Sequence, residues 1–318
     1  MTALTTFGEA MVRLSPPRGR RLSRADRFDV AVGGAESNVA AAAAALGVDA
    51  TWVSALPRSP LGERIEHALR GEGVDPRVVR TDEGRVGTYY LERGGPPRGQ
   101  TVVYDRERTP IRRLTPDDAP QAPVRGADVF ATSGITPALS DRAAATTEAL
   151  LAAAAEAGTT TAFDVNYRSK LWSPGEAEGT LADLFGNVDV LFVAERDGRT
   201  VFEIEGDAEA IARHFAREYG FEQVVLTRGD AGALAVADGE THRVSAFDAD
   251  TIDPVGSGDA FVGGYLTRYL AGADVPEALR WGAATAALKR TTSGDMATVS
   301  AAEVRSLVSG EDGGGIDR

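Results

Sequence analysis

The chain contains no cysteine, so disulfides, zinc–thiolate centres and thiol nucleophiles are excluded. It contains only two lysines, Lys170 and Lys289; the other 32 of its 34 basic side chains are arginine. No apolar run is long enough to cross a bilayer. The N-terminal MTALTTFGEA lacks the basic stretch and apolar core of a secretory signal, which makes a cytoplasmic protein with no membrane partner the expectation. The three histidines, His67, His214 and His242, stand apart without ligand spacing and read as surface or structural residues. Internal repeats, low-complexity linkers and a clear break into two independent domains are also missing.

What the sequence has in excess is acid. Its 47 Asp and Glu give a net charge of -13, which argues against nucleic acid as a partner. Acidic, lysine-poor and alanine-rich composition suits a salt-rich cytosol, because at molar salt the Debye length falls to roughly 3 Å and acidic self-repulsion is screened. A GC-rich genome would favour the same Ala, Arg, Gly and Asp without any salt. At 318 residues the chain can bury a full core.

The order of elements carries the fold. Residues 3–8, 27–32 and 50–56 read as strands. ESNVAAAAAALG (36–47) and LGERIEHALRGEG (61–73) read as helices that stop at glycine. Residues 86–104 hold two β-rich runs around a Gly/Pro turn, a hairpin. From residue 128 strands (DVFATS, TTAFDV, DVLFV, QVVLT) alternate with helices at 140–157, 175–185 and 207–219. An antiparallel pair at 233–246 and a helix from Pro276 to residue 290 follow. The alternation predicts an α/β fold with a mainly parallel central sheet flanked by helices, and a small β element drawn from the N-terminal third. Ligands in such sheets sit beyond the carboxyl ends of the strands. The tail EDGGGIDR (311–318) reads as disordered.

One stretch carries chemistry: DPVGSGDAFVGGYL, residues 253–266. Phe261, Tyr265 and Tyr269 fall on one helical row, and Val262, Leu266 and Leu270 on the next, with Gly272 closing the helix. Gly256-Ser257-Gly258 therefore leads into a helix N-terminus, where unpaired N–H groups and the helix dipole favour an anion. It is no Walker loop, since no Gly-Lys-Ser/Thr follows, and no dinucleotide fingerprint, since the third glycine would fall at Phe261. A carboxylate at Asp259 would repel a resting phosphate. It either takes the proton of an attacking hydroxyl while the N–H groups hold the phosphoryl group, or it merely stabilises the first helical turn. Gly263 and Gly264 each cost roughly 1 kcal/mol inside a helix, which points to close packing there.

DPVGSGDAFVGGYL is similar, position by position, to the second signature of the ribokinase/PfkB sugar kinase family, and the resemblance runs over almost the whole chain. It implies one ribokinase-like kinase domain over 1–310, with lid strands from about 10–32 and 86–106. It implies ATP and Mg2+ as cofactors, Asp259 as catalytic base, and Gly256, Ser257 and Gly258 as anion hole. GGAESN (33–38) resembles the first signature but departs from it at Glu36, where a small residue is usual. Glu36 either orients Asn38 or faces solvent. TRGDAG (227–232) resembles the nucleotide-binding stretch, which puts Thr227, Arg228 and Gly229 near ATP. The family's Asn-x-x-Glu is replaced by Ala194 and Asp197. Asp197 could reach a metal through water, and no residue is assigned as a direct metal ligand.

Residues 93–113 hold Arg93, Arg98, Arg106, Arg108, Arg112 and Arg113 against Asp105 and Glu107. Most of these read as a solvated hairpin. Arg106, at the inner end of a strand, and Arg168, just after another, stand where ligands bind in such folds. A convergent pair of arginines would suit a carboxylate or phosphate. GGAESN, VYDRER and FDVNYRSKLWS resemble the 2-keto-3-deoxygluconate kinase branch of the family. That resemblance implies 2-keto-3-deoxygluconate as the substrate, phosphorylated at its terminal hydroxyl to 2-keto-3-deoxy-6-phosphogluconate. Gly33, Gly34 and Asn38 would hold its hydroxyls, Tyr89 and Tyr104 would line the pocket, and Arg106 and Arg168 would hold the acid. A homo-oligomer is implied too, since lid strands in the family often pair across subunits. Two other readings stand beside this one: a fructokinase or other neutral-sugar kinase, and a non-catalytic ligand sensor on the same scaffold.

The composition makes a direct prediction. Circular dichroism is expected to show the fold retained in molar KCl and lost in dilute buffer; full stability in dilute buffer would favour the genomic explanation.

Overall fold

Apolar runs without polar alternation, such as VLFV and VVL, can be buried on both faces only inside a helix-covered parallel sheet. In the protein's structure, a computed structural model, residues 3–94 and 97–310 are described. The strands are β1 (Leu4–Phe7), β2 (Met11–Ser15), β3 (Asp29–Gly33), β4 (Ala50–Pro57), β5 (Asp75–Thr81), β6 (Gly87–Glu92) and β7 (Thr101–Asp105) in the N-terminal third. They continue as β8 (Val129–Ser133), β9 (Thr160–Asp164), β10 (Val190–Ala194), β11 (Gln223–Thr227), β12 (Ala233–Ala237) and β13 (Glu240–Val244).

Nine strands form one sheet in the order β13-β12-β11-β10-β9-β8-β1-β4-β5. It is parallel from β5 to β11, and β12 and β13 complete it as an antiparallel edge. From β1 the chain winds outward through β4 and β5, then returns through β8 on the other side. That reversal places the switch point, and so the expected binding crevice, beside β1 and β8. A second sheet, β3-β2-β6-β7, stands apart. The hairpin anticipated at 86–104 is β6 and β7, paired from Thr88↔Asp105 to Glu92↔Thr101; Gly95 and Pro96 of its turn, and the tail 311–318, lie outside the described residues.

Several elements escaped the sequence reading, helix Gln121–Arg125 among them. β5 begins with Asp-Pro and is broken by arginines, so it carries little strand signal. Helix Glu195–Val201 is short and has no apolar period, and helix Ala301–Ser309 follows a loop that the pattern did not divide.

The helix Ser257–Leu270 is gripped on two sides. A methyl group on Gly263 would lie 2.7 Å from Ala42 Cβ and 2.9 Å from the Val39 carbonyl. One on Gly264 would lie 2.5 Å from Thr285 Oγ1 and 2.9 Å from the Trp281 carbonyl. The glycines thus let this helix sit directly on helices Ala35–Ala45 and Val275–Arg290, which fixes the height of its N-terminus. Gly264→Val is expected to destabilise the fold by about 1–3 kcal/mol, read as a lowered thermal midpoint. A midpoint at or above wild type would mean the close contact is dispensable.

Candidate active site

Most long helices in this chain start with a side-chain cap. Among the described helices of eight residues or more, six have a side-chain cap: Ser59, Ser140, Ser173, Asp207, Asp274 and Ser300. The two without one are Ala35–Ala45, preceded by Gly34, and Ser257–Leu270, preceded by Gly256. Both begin at the same cleft, of about 900 Å³, beyond the carboxyl ends of the central strands.

Gly256 has φ 83, a conformation that favours glycine. A Cβ there would also lie 2.0 Å from the Asp295 carbonyl. Ser257 N–H is taken by the Pro254 carbonyl at 3.3 Å, and Ala260 N–H by Gly256 at 2.9 Å. The intervening N–H groups of Gly258 and Asp259 have no partner among the described residues. Two free donors at the positive end of a fourteen-residue helix make an anion site.

Asp259 stands in that first turn, at the floor of the cleft. Crowding by protein atoms pushes its carboxyl above the usual range, while a hydrogen bond from Asn38 and the charges of Arg168 and Lys289 hold it down. Asn38 Nδ2 donates to Asp259 Oδ2 at 2.6 Å, and its Oδ1 accepts from Gly34 N–H at 3.4 Å. The asparagine anticipated as a hydroxyl ligand is thus engaged with the acid itself, tying the two uncapped helices together.

The other residues singled out from the sequence line the same cleft. Gly33 ends β3 and Gly34 precedes helix Ala35–Ala45, where a Cβ would meet the Glu9 carbonyl at 2.0 Å. Tyr89 on β6 and Tyr104 on β7 face each other with ring centroids 5.9 Å apart. Arg106 is buried and its guanidinium lies 5.5 Å from the Tyr104 ring centre. Thr227, Arg228 and Gly229 close β11 at the far end, where Arg228 Nε bonds Glu195 at 3.3 Å. Arg168 follows β9, and its charge acts on Asp164, Asp197 and Asp259.

The structure also supplies residues that the sequence reading missed. Glu9 accepts from Arg106 Nη2 at 2.5 Å. Arg106 Nε and Glu9 Oε1 remain buried without a partner among the described residues, so a polar ligand would complete both. Arg93, read from the sequence as a solvated hairpin residue, instead pairs with the fully buried Asp253. Asp295 faces the cleft and accepts from Tyr89. No local motif marks Glu9 or Asp295, and Asp253, although it opens the stretch 253–266, has its side-chain partners far away in sequence.

For a metal the donor set is sparse: no group of three or more His, Asp or Glu is arranged to hold an ion among the described residues. Asp197 lines the cleft, its Oδ1 accepting from Arg196 at 3.0 Å and Oδ2 from Tyr167 N–H at 3.3 Å. A lone carboxylate suits Mg2+, which keeps several waters and binds largely through substrate phosphates.

Comparison with known proteins adds three findings. The family model described as pfkB family carbohydrate kinase matches residues 1–302. A 2-dehydro-3-deoxygalactonokinase of Haloferax volcanii is 52% identical over the full length of both chains, and a 2-dehydro-3-deoxygluconokinase of Thermoproteus tenax is 31% identical over 93% of this chain and 90% of its own. The crystal structure of a 2-dehydro-3-deoxygluconokinase from Thermotoga maritima superposes with a TM-score of 0.91 at 36% identity, covering 97% of this chain and 98% of that one.

Glu36 neither orients Asn38 nor faces solvent. It is buried under the cleft, its Oε1 accepting from Ser133 Oγ at 2.7 Å and Thr136 Oγ1 at 2.8 Å. Burial, with a smaller contribution from Asp259, raises its pKa from 4.5 to about 7. Asp164 is raised to about 8, by burial and then by the charges of Asp259 and Asp197. Folding therefore strengthens proton binding at both. The resulting stability is complete below the unfolded pKa and is lost as pH rises through about 7 for Glu36. Thermal midpoints in molar KCl should fall between about pH 5 and pH 8. Glu36→Gln should flatten that slope, by on the order of 3 kcal/mol at most; an unchanged slope would show that Glu36 is already ionised in the fold.

Proposed function

Because the chain belongs to the pfkB family of carbohydrate kinases, we propose that it transfers the terminal phosphoryl group of ATP to the terminal hydroxyl of a 2-dehydro-3-deoxy sugar acid. The observation that carries this reading is Asp259 beside two unpartnered N–H groups, in a cleft that also holds Arg106 and Arg168.

Asp259 takes the proton of the attacking hydroxyl, held in place by Asn38. The Gly258 and Asp259 N–H groups grip the migrating phosphoryl oxygens, where charge develops. Thr227, Arg228 and Gly229 bind the nucleotide; Gly229 and Gly258 leave open space that a side chain would fill. Mg2+ beside Asp197 would neutralise phosphate charge when bound. Arg106 and Arg168 hold the substrate's carboxylate, a task that a neutral sugar does not require. Glu9 Oε1, left without a partner, accepts from a substrate hydroxyl. The small sheet, through Tyr89 and Tyr104, covers the sugar and excludes water that would otherwise receive the phosphoryl group.

Relatives are named for both the galacto and the gluco forms of such an acid. The relative at 52% identity is named for the galacto form, which favours that acid as the first substrate and the gluco acid as the second. ADP release coupled to an optical signal should be strong with either acid and weak with fructose, ribose and adenosine. Preference for a neutral sugar would refute the acid and leave the kinase. Asp259→Asn should lower kcat by about 10²–10⁴ while ligand binding is largely kept; an indifferent variant would point to a sensor.

A further inference from the structure

The small sheet is fastened to the loops behind the anion site by a buried charge network. Arg13, on β2, is almost fully buried. Its two terminal nitrogens diverge: Nη1 pairs with Asp295, and Nη2 reaches Asp253 Oδ2 at 3.2 Å. From the same sheet Tyr89 donates to Asp295, and Arg93, just past β6, pairs with Asp253.

Both carboxylates are built into the cradle. Asp253 Oδ1 accepts from Val255 N–H at 3.3 Å and Oδ2 from Gly294 N–H at 3.2 Å, so it joins the loop before Gly256 to the loop before Asp295. Asp295 touches Gly256 directly: its carbonyl occupies the space where a Cβ of Gly256 would stand. On the sugar side its carboxylate lies where a Cβ of Gly33 would be. Asp295 is thus wedged between the helix cap at Gly256 and the sheet end at Gly33.

Nothing in the proton transfer described above uses Arg13. Its charge is also not needed to anchor β2, which is already paired with β3 on one side and β6 on the other. A buried guanidinium bridging two elements is costly to desolvate, and its two acids would be left uncompensated without it. We propose that Arg13 is a positioning residue that links the seating of the small sheet over the sugar to the shape of the phosphate cradle, through Asp253 and Asp295. This rests on the kinase reading. It implies that sugar acid and nucleotide each tighten the binding of the other by the same factor.

Titration calorimetry with a non-hydrolysable ATP analogue, with and without the sugar acid, reads the linkage. In wild type the acid should tighten the analogue about tenfold or more. In Arg13→Met each ligand alone should bind within about threefold of wild type, the mutual tightening should fall towards one, and kcat should drop about 100-fold. Arg13→Lys should recover part of both. Arg93→Met, at a partly exposed position, should show a smaller loss of the same kind and serves if Arg13→Met does not fold. The proposal is overturned if wild type shows no mutual tightening. It is equally overturned if either methionine variant keeps the tightening intact, or if Arg13→Met weakens each ligand separately in step with its thermal midpoint. Absence of turnover in wild type would instead overturn the kinase reading, leaving the calorimetric linkage to decide this one.

Discussion

The site depends on one helix start that has been left uncapped. At six other helix starts the chain spends a serine or aspartate on the N-terminal N–H groups, as at Ser173 and Ser300, where reciprocal capping boxes form. At Gly256 it places a left-handed glycine with no side chain to offer. The free donors persist because the helix cannot retreat. Gly263 and Gly264 seat it against two neighbours at backbone distance, and its apolar rows pack under the sheet through Phe261, Tyr265 and Leu266. Tyr265 is edge-on to Phe192 on β10, with centroids 5.3 Å apart. The packing of the helix body thus preserves unsatisfied donors at its end, and those donors are what an anion needs.

A second constraint follows from putting an acid in that cradle. Asp259 has Asp164, Asp197 and Glu36 for company, and four charges of one sign cannot share so small a volume. Burial raises the pKa of every member of the group, Asp259 included, to about 8 at Asp164 and about 7 at Glu36. Asp259 receives the Asn38 bond and the nearby positive charges of Arg168 and Lys289. Those contacts offset part of the rise at Asp259, which is also the member that stands beside the free N–H groups. Glu36, an oddity as a letter in GGAESN, makes sense only as part of this group.

How much of this was readable from the letters alone depended on distance along the chain. Gly256, Ser257, Gly258 and Asp259 are adjacent, and glycine before a helical apolar pattern has a local physical meaning. The α/β alternation was legible for the same reason: parallel strands and their covering helices each declare themselves within a dozen residues. Arg106 and Arg168 were found by their place at strand ends. Glu9, Arg13, Asp253 and Asp295 were not, because what they do is set by partners up to 282 positions away. Arg93 was misplaced by the same blindness. An arginine in a charged hairpin looks solvated until the fold brings Asp253 beneath it.

Of the two lysines that survive in an arginine-rich chain, Lys170 bridges the two sheets and Lys289 holds the loop before the anion site. Lys170 Nζ, in the loop after β9, donates to the Val102 carbonyl on β7 at 2.5 Å, 5.8 Å from the centre of the Tyr104 ring. Lys289 is fully buried and donates to the Asp253 carbonyl at 3.0 Å; burial lowers its pKa to about 8. A guanidinium is a flat fork with five donors, whereas an ammonium is compact, and the buried site at Lys289 offers it one carbonyl. The retained lysines, the bridging Arg13 and the arginines of the cleft gather positive charge where two anions would meet, inside a chain whose net charge is -13. In molar salt, where the Debye length is roughly 3 Å, that charge cannot draw ligands from a distance. Its use is then confined to contact range, where direction matters: forked arginines for a carboxylate, free N–H groups for a phosphoryl group, and buried ion pairs to hold both sets in register.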